Sequence, residues 1–207
     1  MSTTFDVYPR TAGIPTFGEL IELASTRLAE RLRCHGINVR PELKVEVRHH
    51  GSHQEVAITP DGEMTWKRDE YGWFHVPGVL GGTDVDYRKV EELDWRMWRE
   101  LLETNERARG ERFRIESCLA TGHYWAFRRS AGQPAIINFA YGIIAAALAE
   151  LTDGIIYSYD SAWDYDRFPA VAADFYEWFF DPEKTPDRDR ATWARTCLSV
   201  IANDHRP

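Results

Sequence analysis

Pro134-Ala-Ile-Ile-Asn-Phe-Ala-Tyr-Gly-Ile-Ile-Ala-Ala-Ala-Leu-Ala-Glu-Leu151 carries no charge before Glu150. A helix with one wet side shows a polar stripe. This segment has none, so its pattern predicts a central helix covered on all sides. Asn138 lies inside it and is expected to be a hydrogen-bonded core group. Ala140, Gly142, Ala145, Ala146 and Ala149 leave little side-chain bulk, which lets neighbouring elements approach closely. The uncharged run begins at Ser130, but its helical part starts only at Pro134. That leaves about 16 residues where a bilayer needs about 20, so it reads as a core helix.

Upstream, Phe5 to Tyr8 alternates apolar and polar residues and predicts a short strand ending at Pro9. Thr16-Phe-Gly-Glu19 is a capping box. Leu20, Ala24, Leu28 and Leu32 continue from it as an apolar stripe that ends near Gly36. Leu43, Val45 and Val47 alternate with charged residues. Val56 to Thr59, the Pro60-Asp61-Gly62 turn and Met64 to Arg68 suggest a hairpin, and Tyr71 to Val76 a further strand. Pro77 to Gly82 breaks the pattern and is the candidate internal boundary, near 77–83, of an otherwise single domain over 1–207. Asp86 to Glu103 reads as a helix. Phe113 to Leu119 and His123 to Arg128 read as a second hairpin, with Cys118 buried on a strand.

Downstream, Ile155 to Tyr159 reads as a strand, Ala170 to Phe180 and Ala191 to Ala202 as helices. Helices and hairpins mix without regular strand–helix alternation. The expected class is α+β, with antiparallel hairpins packed on the central helix and several amphipathic ones.

Across 207 residues, 43% hydrophobic and 28% charged are ordinary globular proportions. The start has neither a basic segment nor an apolar one and does not read as a secretory signal. Three scattered cysteines, without a Cys-x-x-Cys pair, fit a reducing compartment, so a cytoplasmic location is expected. A pI near 5.4 disfavours nucleic acid and anionic membranes as partners and favours a basic protein.

The charge is concentrated. Between Glu150 and Asp189 eleven acidic residues face three basic ones, a net of −8 that equals the net of the whole chain. Ten of the 27 aromatics fall in the same window. The flanking helix and strand look like core, which leaves the loop from Tyr159 to Arg167. Tyr159, Asp160, Trp163, Asp164, Tyr165 and Asp166 are the candidate partner-binding residues, because acid steers a basic partner and aromatics anchor it. For Asp164 a second reading is local, its carboxylate accepting from loop backbone N–H groups.

Other constellations offer less. Asp160, Asp164 and Asp166 lack the spacing and glycine of an EF-hand loop. His49, His50 and His53 have no His-Glu-x-x-His context and read as loop histidines. Ser158 lacks the glycines of a nucleophile elbow. Arg128 and Arg129 are expected to pair with carboxylates of the fold. No cofactor or metal ligand set is expected.

The stretch Leu148-Ala-Glu-Leu-Thr-Asp-Gly-Ile-Ile-Tyr-Ser-Tyr-Asp-Ser-Ala-Trp-Asp-Tyr165, with Arg167-Phe-Pro169 and Phe175-Tyr-Glu-Trp178, resembles small cytoplasmic immunity proteins of bacterial polymorphic and secreted toxin systems, the Sit-type among them. Tyr159 stands where a second Asp is expected in that pattern. The resemblance implies a soluble antidote that binds and neutralises one toxin domain. The alternatives are a small metal-dependent or carboxylate-dependent hydrolase and a homodimeric interaction module.

Overall fold

A computed structural model describes residues 2–204. In chain order the elements are β1 (Thr3–Tyr8), α1 (Phe17–Cys34), β2 (Lys44–His49), β3 (Glu55–Val56), β4 (Glu70–His75), β5 (Thr83–Lys89), α2 (Glu92–Thr104), α3 (Glu106–Gly110), α4 (Arg112–Ala120), β6 (His123–Arg129), α5 (Ala135–Leu151), β7 (Ile155–Tyr157), α6 (Ala172–Trp178) and α7 (Arg188–Asp204). The strands form one antiparallel sheet in the order β3-β2-β4-β5-β6-β1-β7, so the fold is α+β. The first strand of the chain thus lies inside the sheet, between β6 and β7.

Helix α5 is buried from Ile136 to Ala149, as its lack of a polar face requires. α1, α6 and α7 pack on it, as does the face of β1 that carries Phe5. Phe5 stacks on Tyr141 at 4.8 Å between ring centroids. Asn138 accepts from Arg129 Nη1 at 2.6 Å and donates to the Gln133 carbonyl at 2.9 Å. The α1 start is the expected capping box: Thr16 Oγ1 accepts from the Glu19 N–H, and the Glu19 carboxylate accepts from the Thr16 N–H at 2.8 Å.

The opposite face of β1 carries Asp6 and Tyr8. There α2 closes the sheet, with Trp98 edge-on to Tyr8 at 5.4 Å and against Tyr157 at 4.8 Å. Toward β5, β4 and β2 the same face is half exposed, and Asp84, Asp86, Trp73 and Arg48 stand on it.

Three expected elements differ. Phe113 to Leu119 is helical, within α4, because Ile115, Cys118 and Leu119 form a buried i, i+3, i+4 stripe while Phe113 is exposed. Cys118 is buried as expected, but on a helix. Asp86 to Lys89 belongs to β5; the helix begins at Glu92, and Val85 and Tyr87 supply a strand's period of two. Met64 to Arg68 does not return as a strand. Its Met64 carbonyl instead accepts from Trp125 Nε1 at 2.7 Å, and Trp66 stacks on Phe17. Pro77 to Gly82 connects two strands that pair with each other, β4 and β5.

Gly142 provides a direct test of the central helix. A Cβ there would lie 2.3 Å from the Phe179 ring. Helix propensity alone favours Ala over Gly by about 1 kcal/mol, whereas overpacking a core costs about 1–3 kcal/mol. The overlap should win. Gly142→Ala is expected to destabilise the protein by roughly 1–2 kcal/mol, read as a lower denaturant midpoint with an unchanged slope.

Candidate functional site

The acidic aromatic loop is divided by burial. Trp163, proposed from sequence as a partner anchor, has no exposed surface: it packs on Phe179, Phe180 and Trp193 at 5.3, 5.6 and 6.3 Å. Asp164 is also enclosed. Its Oδ1 accepts from Thr185 Oγ1 at 2.9 Å and Arg190 Nη1 at 3.2 Å, and its Oδ2 faces Arg167 Nε at 3.3 Å. The partners of Asp164 are therefore side chains, of Arg167 at the loop's own end, of the following segment and of α7, and not the loop's backbone N–H groups. Both residues hold the loop in place, and neither is open to a partner in this structure.

What the loop presents are its two ends. Tyr159 is 61% exposed and Tyr165 40%, with Asp166 exposed beside it. Ser158 stabilises the first end: its Oγ donates to Asp160 Oδ1 at 3.0 Å and accepts from the Ala162 N–H at 3.0 Å. Ser161 between them has φ of +59°, a left-handed conformation maintained by these contacts. At the second end Tyr165 and Asp166 line an open groove of about 680 Å³ with Thr104, Asn105, Glu106 and Arg107. The groove wall is fixed, since Asn105 Nδ2 donates to the Phe168 carbonyl at 3.3 Å and Arg107 Nε to the Pro169 carbonyl at 2.8 Å.

A group that sequence reasoning missed adjoins the first end. Asp6 is 5% exposed, and no side-chain hydrogen bond reaches its carboxylate among the described residues. Burial is the main cause that raises its pKa, to about 7; Arg88 opposes the shift, while Asp160, Asp94 and Asp86 add to it. Arg88 is engaged elsewhere, donating to Asp86 Oδ2 at 2.5 Å. Tyr124 stacks on Tyr8 at 4.7 Å and is pushed up to about 12 by burial and then by Asp6. Asp84, two residues before Asp86 on the same strand face, is also raised, chiefly by burial, although Arg128 lies 3.8 Å away.

The histidines do not converge. His53 Nδ1 is 3.0 Å from the Tyr71 hydroxyl, His50 Nε2 is 3.5 Å from Asp86, and His49 lies 3.8 Å from Asp69. Among the described residues no three His, Cys, Asp or Glu side chains are grouped as metal ligands. Of the two arginines expected to pair with carboxylates, Arg128 does so; Arg129 instead binds Asn138 and Thr3 and lies over Tyr141 and Trp193. Comparison with protein-family models, curated proteins and solved structures finds no match for this chain.

Two outcomes follow from these carboxylates. Removing one member of a buried ion pair costs about 3–5 kcal/mol, but the arginines around Asp164 are about one-third exposed, which moderates the loss. Asp164→Ala is expected to lower stability by roughly 2–3 kcal/mol in denaturant titration. Asp6 acts in the opposite sense. Between about pH 4 and 7 the folded state keeps a proton that the unfolded chain releases, so this group makes stability fall as pH rises. Asp6→Asn should match the parent near pH 4 and exceed it by about 2–4 kcal/mol above pH 8, read from unfolding curves across that range.

Proposed function

We propose that this chain is a cytoplasmic immunity-type protein that binds a basic toxin domain and blocks it, using the exposed ends of the Tyr159 to Arg167 loop. The observation that carries this reading is the division of the loop. Its middle is anchored by Trp163 and Asp164, while Tyr159, Tyr165 and Asp166 are presented on a support already ordered before any partner arrives. Preorganisation of this kind lowers the entropy lost on association. Tyrosine supplies large contact area with few rotatable bonds, and the local acidic excess speeds encounter with a basic surface.

The resemblance of Leu148 to Trp178 to immunity proteins supports the same reading. A carboxylate-dependent hydrolase is the second reading, favoured by Asp6 alone: a carboxyl that titrates near neutrality can pass a proton to a substrate. Such an enzyme would lose turnover on Asp6→Asn.

Co-expression with the proteins of adjacent reading frames tests the binding reading, scoring rescue of growth and co-purification together. Tyr159→Ala, Tyr165→Ala and Asp166→Asn combined should weaken capture by a hundredfold or more, as loss of interface anchors does. The folded state should barely change, since surface substitutions fall within about 0.5 kcal/mol each. Undiminished rescue and capture by the triple variant would reject the loop as the interface.

A further inference from the structure

The groove between Thr104 and Asp166 is short of free positive charge, although an arginine lines it. Thr104 to Arg107, at the junction of α2 and α3, meet Tyr165 and Asp166 of the acidic loop around an open volume of about 680 Å³. Arg107 is already committed: its Nε donates to the Pro169 carbonyl at 2.8 Å and its Nη2 to Asp174 Oδ2 at 2.5 Å. Arg167, the next cation along the loop, faces Asp164 and lies over the Trp178 ring. The carboxylates of Glu106 and Asp166 are exposed, and neither has a hydrogen bond or ion pair among the described residues.

The backbone adds charge of the same sign. α2 runs for 13 residues and ends at the groove, with Thr104 its last residue and Asn105 its C-cap. A helix C-terminus carries about half a negative charge. α2 has no basic residue in its last turn to offset it, whereas α1 has Arg31 and Arg33 there. α3 begins at the same place with the opposite polarity, but it is only five residues long, and Asn105 Oδ1 already accepts from its Ala108 N–H at 2.9 Å. The groove, the uncompensated helix end and the two unpaired carboxylates each favour a cation.

Tyr165 selects which cation. Its ring is 40% exposed, and its backbone is held in the turn after Asp164, where the Phe168 N–H donates to the Tyr165 carbonyl at 3.1 Å. A guanidinium can lie flat on such a ring while its edge donates to carboxylates; a compact, strongly hydrated ammonium uses the ring face less fully. The chain places its own arginines in this way, Arg129 over Tyr141 and Trp193, and Arg167 over Trp178.

We infer that this groove is the seat of an arginine side chain presented by a protein partner, its guanidinium stacked on Tyr165 and donating to Glu106 and Asp166. This rests on the partner-binding reading above and adds to it the side chain that the second end of the loop recognises. It also brings α3 into the interface, through Glu106.

The test uses the full chain and N-acetyl-arginine methylamide, whose guanidinium is its only charge. The probe is titrated at constant ionic strength while the backbone amide signals of Glu106, Arg107 and Asp166 are followed by NMR. The corresponding lysine and citrulline compounds serve as comparisons, citrulline keeping the shape of arginine without its charge. A saturable shift is expected with arginine, about threefold tighter than with lysine, and none with citrulline. Glu106→Gln and Asp166→Asn should each weaken binding about threefold and together about tenfold, as exposed ion pairs do, with the denaturant midpoint unchanged. The inference is overturned if arginine gives no saturable shift, if lysine or citrulline binds as tightly, or if the doubly substituted chain responds like the parent. A failed titration with partner capture intact removes the arginine seat and leaves the binding reading. A saturable titration with no partner captured supports the seat and counts against the toxin-binding reading.

Discussion

Helix α5 has no side that water can wet, and the rest of the chain is arranged to cover it. From Ile136 to Ala149 every residue is buried, so α1, α6, α7 and the sheet must each supply a surface. Burial of a single large aliphatic side chain is worth about 1.5–3 kcal/mol, and α5 contributes several. Its small residues decide how close the cover can come. Gly142 admits the Phe179 ring, which in turn contacts Phe175, Tyr141 and Trp163. The helix, the C-terminal aromatics and the acidic loop therefore belong to one packed unit.

That continuity explains the character of the loop. Trp163 anchors it to the α5 cover through Phe179 and Phe180, and Asp164 ties it to α7 through Arg190. A loop pinned at its middle can present side chains at both ends with little freedom to lose. The charge excess of the window becomes structural in part: Asp164 is used to hold the loop, while Asp160 and Asp166 remain toward the surface. Composition locates the acidic region correctly. It does not separate the carboxylates that build the loop from those that face outward, because that depends on Arg190 and Thr185, more than twenty residues downstream.

Local signals carried most of the elements. Thr16 and Glu19 specify the start of α1 by hydrogen bonds within four residues, and the uniform apolar run of α5 permits only a central position. Signals failed where two periods competed. Phe113, Ile115 and Leu119 satisfy an alternation, yet Ile115, Cys118 and Leu119 satisfy a helix, and the helical stripe is the one that finds a core. In β5 the alternation of Val85 and Tyr87 with charged residues was legible, but the helix that follows from Glu92 masked it. Asp6 was legible as a polar residue in an alternating strand, which normally means a wet face. Its burial follows from long-range pairing, since β6 and β7 flank β1 and α2 covers it, and no nearby residue announces that arrangement.

The two enclosed carboxylates then argue for different purposes. Where the fold needs a buried acid, at Asp164, it gives Oδ1 two donors, from Thr185 and Arg190, and sets the Arg167 guanidinium 3.3 Å from Oδ2 to offset the charge. At Asp6 the same chain places an acid among three others and tyrosines, and the one nearby arginine is bound to Asp86. The consequence is a carboxyl that holds its proton to about pH 7 and makes the folded state less stable above it. A leucine or asparagine would pack into a sheet interior without that penalty. Departures from local consistency of this kind gather at functional sites.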